Sequence, residues 1–175
     1  MTDQITLAGG CFWCTESVFI RLPGVLKSVS GYANGNKAHP TYQEVCTGST
    51  GHAEVVQVTY DTAATNLATL LDLFFKAHDP TTLNRQGGDT GTQYRSGIYF
   101  TNDEQKTEAE GAIKRAQKTW SQPIVTEVVS LNSFFAAEDY HQDYFVNHPN
   151  QGYCAFVVGP KVEKFQKTFA ARVKS

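Results

Sequence analysis

Ala8-Gly9-Gly10-Cys11-Phe12-Trp13-Cys14-Thr15-Glu16 is the stretch on which the reading of this chain turns. An apolar, strand-like run over residues 5–8 leads into two glycines, and helical periodicity starts straight after them. A cysteine therefore stands where a strand becomes the first turn of a helix. Backbone N–H groups there have no intrahelical partner and the helix dipole is positive, so a thiolate is favoured at Cys11. Cys14 follows at i+3 on the same helix face, about 5–6 Å away and within disulfide reach. Two aromatics, Phe12 and Trp13, separate the cysteines.

Outward from that stretch, strands and helices interleave. Residues 4–8 read as a buried strand and residues 11–22 as a helix stopped by Pro23-Gly24. Residues 25–33 alternate as a strand, and Asn34-Gly35-Asn36 marks a turn. Residues 37–52 and 81–95 read as long irregular loops, a length that implies work or independent packing. Residues 53–61 alternate cleanly, with Val56, Val58 and Tyr60 in phase. Residues 66–77 form an amphipathic helix with Asn66 as cap; Asn102 caps a second helix from 103 to about 120. Strands are expected over 96–100 and 124–131, a short aromatic helix or turn over 136–146, an irregular segment over 148–154 and a closing helix over 162–173. This order predicts an α+β fold, most simply a ferredoxin-like split βαβ sandwich with long functional loops and an irregular C-terminal tail.

The 175 residues fit a single domain spanning 1–175, with 41% hydrophobic and 18% charged residues. A formal net charge of -2 and the lack of a basic block argue against nucleic acid or anionic membrane as partners. No apolar run approaches the roughly 20 residues of a membrane span. The short polar start does not read as a signal peptide, so the protein is expected in the cytoplasm, as a monomer. In a reducing compartment Cys11, Cys14, Cys46 and Cys154 are catalytic, buried or metal-bound rather than permanent cross-links.

Cys-x-x-Cys suggests a dithiol–disulfide oxidoreductase or half a zinc site. Zinc needs two more ligands, and neither a second Cys-x-x-Cys nor paired histidine spacing exists, so no metal or cofactor is expected. Thioredoxin-like motifs carry small residues or proline between the cysteines. Phe12 and Trp13 instead suggest an apolar wall for a small substrate group. Glu54 is either a solvated strand-end carboxylate or, if buried, an acid able to hold a proton near neutral pH. Tyr42 and Tyr94 read as half-buried aromatics with wet hydroxyls, and Asp89 as a turn aspartate. The run 87–92 lacks the Gly-Lys-Ser/Thr of a phosphate loop.

Several blocks taken together resemble the peptide methionine sulfoxide reductase A family. They are Gly10-Cys11-Phe12-Trp13, Gly31-Tyr32, Pro40-Thr41-Tyr42, Glu44-Val45-Cys46, Gly51-His52-Ala53-Glu54, His78-Asp79-Pro80 and Asp89-Thr90-Gly91-Thr92-Gln93-Tyr94-Arg95-Ser96. The resemblance runs from Leu7 to about Cys154. It implies reduction of the S-epimer of methionine sulfoxide, free or in proteins, as oxidative damage repair. Cys11 would attack the sulfoxide sulfur, Phe12 and Trp13 would hold the ε-methyl group, and Glu54 would protonate the oxygen with help from Tyr42 and Tyr94. Asp89 would help bind substrate or order its loop. The resulting sulfenic acid on Cys11 would be resolved to a disulfide and recycled by thioredoxin or a similar external dithiol. Cys154, on a Gly/Pro/Asn-rich segment, is the expected resolving thiol. Cys14 replaces the family's commoner glycine or small residue and could resolve or relay, although a rigid helix would demand local unwinding. Cys46 is expected to be buried.

Overall fold

β3 (Ala53–Asp61) is the strand around which the sheet is assembled. It lies antiparallel to β1 (Thr2–Gly9) on one side and to β2 (Val25–Ala33) on the other. β6 (Ser96–Phe100) extends the sheet antiparallel to β1, and β7 (Glu127–Ser130) runs parallel to β6 at that edge. β8 (Phe134–Ala136) closes the opposite edge against β2, giving the order β7-β6-β1-β3-β2-β8. The computed structural model describes residues 1–87 and 89–142 together with Pro160, Val162 and Glu163. The fold is α+β, with a curled mixed sheet and, among the described residues, four full α-helical elements: α1 (Phe12–Phe19), α2 (Tyr42–Cys46), α3 (Leu67–Ala77) and α4 (Asp103–Gln117).

The period-2 pattern of β3 sorts its side chains onto two faces. Val56, Val58 and Tyr60 join Ile5, Leu7 and the apolar faces of α1 and α3 in the main core. Val55 and Ala53 face the other way, into a smaller cluster with Ala8, Ala33 and Tyr99. Asn66 caps α3 by accepting the Thr69 amide at 2.8 Å, and Asn102 caps α4 through Gln105 at 2.9 Å. Small residues Ala109 and Ala112 of α4 turn inward, while its charged positions face water.

Several boundaries differ from expectation for local reasons. The first helix ends at Phe19 rather than 22, because Pro23-Gly24 leaves no room for further helical bonds. Cys11 is its N-cap, with φ -59° and ψ 125°, so it lies outside the helical turn. The first long loop contains α2, started by a capping box in which Thr41 and Glu44 satisfy each other's amides. The second contains a two-stranded hairpin, β4 (Arg85–Gln86) and β5 (Asp89–Thr90), and a 3-10 turn at Thr92–Tyr94. β7 is shorter than the strand expected over 124–131, and of the helix or turn expected over 136–146 the described part is a turn: Phe134–Ala136 pairs as an unexpected strand, followed by a 3-10 turn at Asp139–His141. That pairing needs Gly31, since a Cβ there would lie 2.5 Å from the Phe134 ring. The irregular segment 148–154 and most of the closing helix lie outside the described residues. Among those described, no helix is long and apolar enough to cross a membrane.

Candidate active site

The β1–α1 junction delivers Cys11. Gly10 makes the turn possible: its φ is +94°, and a Cβ would lie 2.6 Å from the Gln86 side chain. Gln86 is itself locked, its amide accepting from the Asp79 N–H at 2.9 Å and donating to the Asp79 carbonyl at 2.8 Å. The second long loop is thereby clamped behind the cysteine. Cys11 is buried, and burial pushes its thiol well above the ordinary range; the hydrogen bond with Cys14 and that neighbour's charge add to the rise. The Trp13 N–H at the helix start pulls the other way and is outweighed. The thiolate favoured by the helix terminus is therefore not the resting form.

Glu54 enters from the buried end of β3. Its Oε1 accepts the Phe12 amide at 3.2 Å, one residue from Cys11. The carboxyl is 1% exposed, and Oε2 has no hydrogen-bond partner among the described residues. Burial raises its pKa well above the carboxylate range, and the Cys11 thiol and Asp89 push the same way. Of the two readings left open by sequence, the buried acid is the one found.

Phe12 is fully buried and packs against Tyr32 and Tyr42, with ring centres 5.7 and 6.2 Å away. Trp13 is partly exposed and stacks on Tyr42 at 6.5 Å. Tyr42 comes from the first residue of α2, and Tyr94 from the end of the 3-10 turn. Burial raises the pKa of both hydroxyls, and the charge of Glu54 is the next cause for each. Asp89, on β5, also acts on Tyr94, Glu54 and Cys11. Residues from five separate segments thus interact around the β1–α1 junction.

The cysteines separate into different situations. Cys14, 8% exposed, lies with Cys11 on a small cavity of about 20 Å³ bounded by Gly9, Phe74, His78 and Gln86. Cys46 is exposed rather than buried, because α2 is a single surface turn that buries only Val45. It hydrogen-bonds the Tyr42 hydroxyl. Cys154 lies outside the described residues. No three His, Cys, Asp or Glu side chains converge as a metal site among the described residues.

Sequence reasoning missed His141 and His52. His141 is 1% exposed, stacks on Tyr42 at 4.4 Å, and accepts the Trp13 indole N–H on Nδ1 at 3.1 Å. Glu138, three residues earlier, accepts from the Tyr32 hydroxyl and the Tyr42 amide. The density of aromatics around residues 134–145 was the available signal. His52 accepts the Gly35 amide on Nδ1 at 3.0 Å and donates from Nε2 to the Lys37 carbonyl at 2.7 Å. It holds the turn after β2 against the strand that carries Glu54.

Known proteins resemble this chain over nearly its whole length. The peptide methionine sulfoxide reductase family profile matches residues 3–173. Peptide methionine sulfoxide reductase MsrA 1 of Rhodopirellula baltica is 52% identical over 98% of this chain and 90% of its own length. MsrA of Saccharolobus solfataricus is 50% identical over 98% and 97%. Among solved structures, reduced Mxr1 of Saccharomyces cerevisiae superposes with a TM-score of 0.81 at 40% identity, covering 87% of this chain and 89% of its own. Methionine sulfoxide reductase A of Corynebacterium diphtheriae gives 0.79 at 36% identity, over 89% and 78%. With Cys11, Glu54 and the Phe12–Trp13 wall gathered as described, the chain belongs to the peptide methionine sulfoxide reductase A family.

Proposed function

We propose that Cys11 and Glu54 act as one proton-sharing pair in reducing the S-epimer of methionine sulfoxide. The observation that carries this is that both are buried, with Glu54 seated on the amide next to Cys11. A sulfoxide is a poor electrophile because its oxygen must leave with the bonding electrons. Glu54, held protonated by burial, gives its proton to that oxygen as Cys11 Sγ attacks the sulfur. The Cys11 proton passes to the emptied carboxylate. The protonated oxygen leaves the methionine sulfur as water on a second proton from Glu54, leaving Cys11 Sγ bonded to a sulfonium. A water then attacks Cys11 Sγ, and the S–S bond breaks with its electrons going to methionine. The attacking oxygen stays on Cys11 as sulfenic acid, and its surplus proton returns to Glu54.

Phe12 and Trp13 receive the ε-methyl group, and the tyrosine hydroxyls of Tyr42 and Tyr94 donate to the sulfoxide oxygen. Burial keeps both hydroxyls protonated, as donors must be. Asp89 orders the loop that presents Tyr94. A thiol, Cys154 or Cys14, displaces the sulfenic oxygen as water and leaves a disulfide. A thioredoxin-type dithiol reduces it, and no bound cofactor is required. A structure of Mxr1 in complex with Trx2 superposes on this chain with a TM-score of 0.57 at 30% identity, covering 82% of this chain and 84% of its own, and supports that partner.

The reading extends to the whole chain as one domain, a monomer repairing oxidised proteins in the cytoplasm. The strand order β6-β1-β3-β2, antiparallel throughout, supports a ferredoxin-like split βαβ core under the added edge strands. The test is incubation with each epimer of a methionine sulfoxide peptide and dithiothreitol. Turnover of the S-epimer alone, abolished by Cys11→Ser, is expected; turnover of the R-epimer instead would refute the assignment.

A further inference from the structure

We infer that Cys14 is the thiol that first captures the Cys11 sulfenic acid, from the rear face of the nucleophile. The inference rests on Cys11 being the attacking thiol. Cys11 has two separate sets of neighbours. Glu54, Phe12, Trp13 and Tyr42 stand on the substrate side. The small cavity behind it is bounded by Cys14, Gly9, Phe74, His78 and Gln86, and none of the substrate-side groups contributes to its wall. Displacement at sulfur is in line. A sulfenic oxygen left on the Glu54 side is therefore best expelled by a thiol arriving from the cavity side.

Local backbone geometry removes the objection that the helix holds Cys14 away. Cys14 belongs to α1, but Cys11 does not: it is the N-cap, with ψ 125°. Its Cβ can approach Cys14 without breaking a helical turn. The two residues are already joined by the Cys14 amide on the Cys11 carbonyl at 3.1 Å, and their side chains hydrogen-bond. Both are thiols, each 8% exposed, so no chain segment must move in before capture. The cavity, about 20 Å³, has room for sulfur movement of the order of one water molecule.

The step balances. Cys14 Sγ attacks Cys11 Sγ, and the S–O bond breaks. The leaving oxygen takes a proton from Glu54, and the Cys14 proton refills the carboxylate. The products are a Cys11–Cys14 disulfide and water. The external dithiol then reduces that disulfide to two thiols and is itself oxidised.

Reduced Cys154→Ser protein, given one equivalent of S-sulfoxide peptide and no reductant, tests this. One methionine should form, two thiols should disappear, and a peptide holding residues 11–14 should be lighter by two hydrogens. In the otherwise native chain, Cys14→Ser should lengthen the lifetime of the sulfenic acid, read by dimedone trapping, at least about ten-fold, as when a positioned intramolecular group is removed. Cys14→Ala should behave alike, and a thermal melt checks that both fold. Methionine formation with Cys11 trapped as sulfenic acid and Cys14 still alkylatable in the Cys154→Ser protein would overturn the inference alone. Methionine formation surviving Cys11→Ser would overturn the reading on which it rests.

Discussion

Trp13 and His141, one on the first helix and the other past the edge strand, are joined by a 3.1 Å hydrogen bond from the indole N–H to Nδ1. The contact fixes the plane of the partly exposed wall residue and sets the imidazole tautomer. It requires a neutral His141, and burial depresses that pKa, against the opposing charge of Glu138. His141→Phe should raise KM for sulfoxide about 2- to 12-fold with little change in kcat, the worth of one neutral hydrogen bond. Trp13→Phe should have a similar effect, and the double variant should lose less than the sum. His141→Asn, which offers an acceptor, should recover part of the loss. KM should also rise as pH falls through the depressed His141 pKa, when Nδ1 becomes a donor. The stability from keeping this histidine neutral is present above its unfolded pKa near 6.5 and is lost as pH falls.

Glu54→Gln should slow methionine formation by about 100-fold or more, measured in single turnover. In the native chain the rate should decline as pH rises through the raised Glu54 pKa, and that limb should vanish in the variant. Folding stability follows the same direction. A carboxyl whose folded pKa is raised binds more protons in the folded state, so its contribution is full below the unfolded pKa near 4.3 and fades as pH rises. The variant should therefore gain stability relative to the native chain as pH rises above that unfolded pKa, read by urea unfolding.

Tyr42→Phe and Tyr94→Phe should each lower the single-turnover rate by roughly 100-fold, the usual effect of removing one donor from a charge-stabilising pair. Burial keeps both hydroxyls protonated through the working range, so neither change should introduce a new pH limb.

Gly31→Ala should act on the site from a distance. A Cβ at this position would lie 2.5 Å from the Phe134 ring and 2.7 Å from the Phe135 carbonyl. Overpacking of this kind costs about 1–3 kcal/mol. It would displace β8, the strand that leads to Glu138 and His141. Reduced unfolding midpoint and raised KM in the folded fraction are expected together.

The central elements and the nucleophile were legible because their causes are local. Alternation over residues 53–61, the Asn66 and Asn102 caps, and the Gly-Gly entry to Cys11 all act within a few residues. The short strands at 85–90 and 134–136 were not legible, because strands of two or three residues exist only where a partner is already in place.

The site divides along the same line. Sequence by itself determined the family and pointed to the thiol, the acid and the aromatics proposed for the chemistry. Only tertiary structure decided the states of those groups, since burial is a property of neighbours distant in sequence. It overrode the helix terminus at Cys11, raised Glu54 into an acid, left Cys46 at the surface and brought His141 under Trp13. It also set Cys14 on a small cavity with Cys11, Phe74, His78 and Gln86, because a cap residue leaves the helix while the residue three places on stays in it.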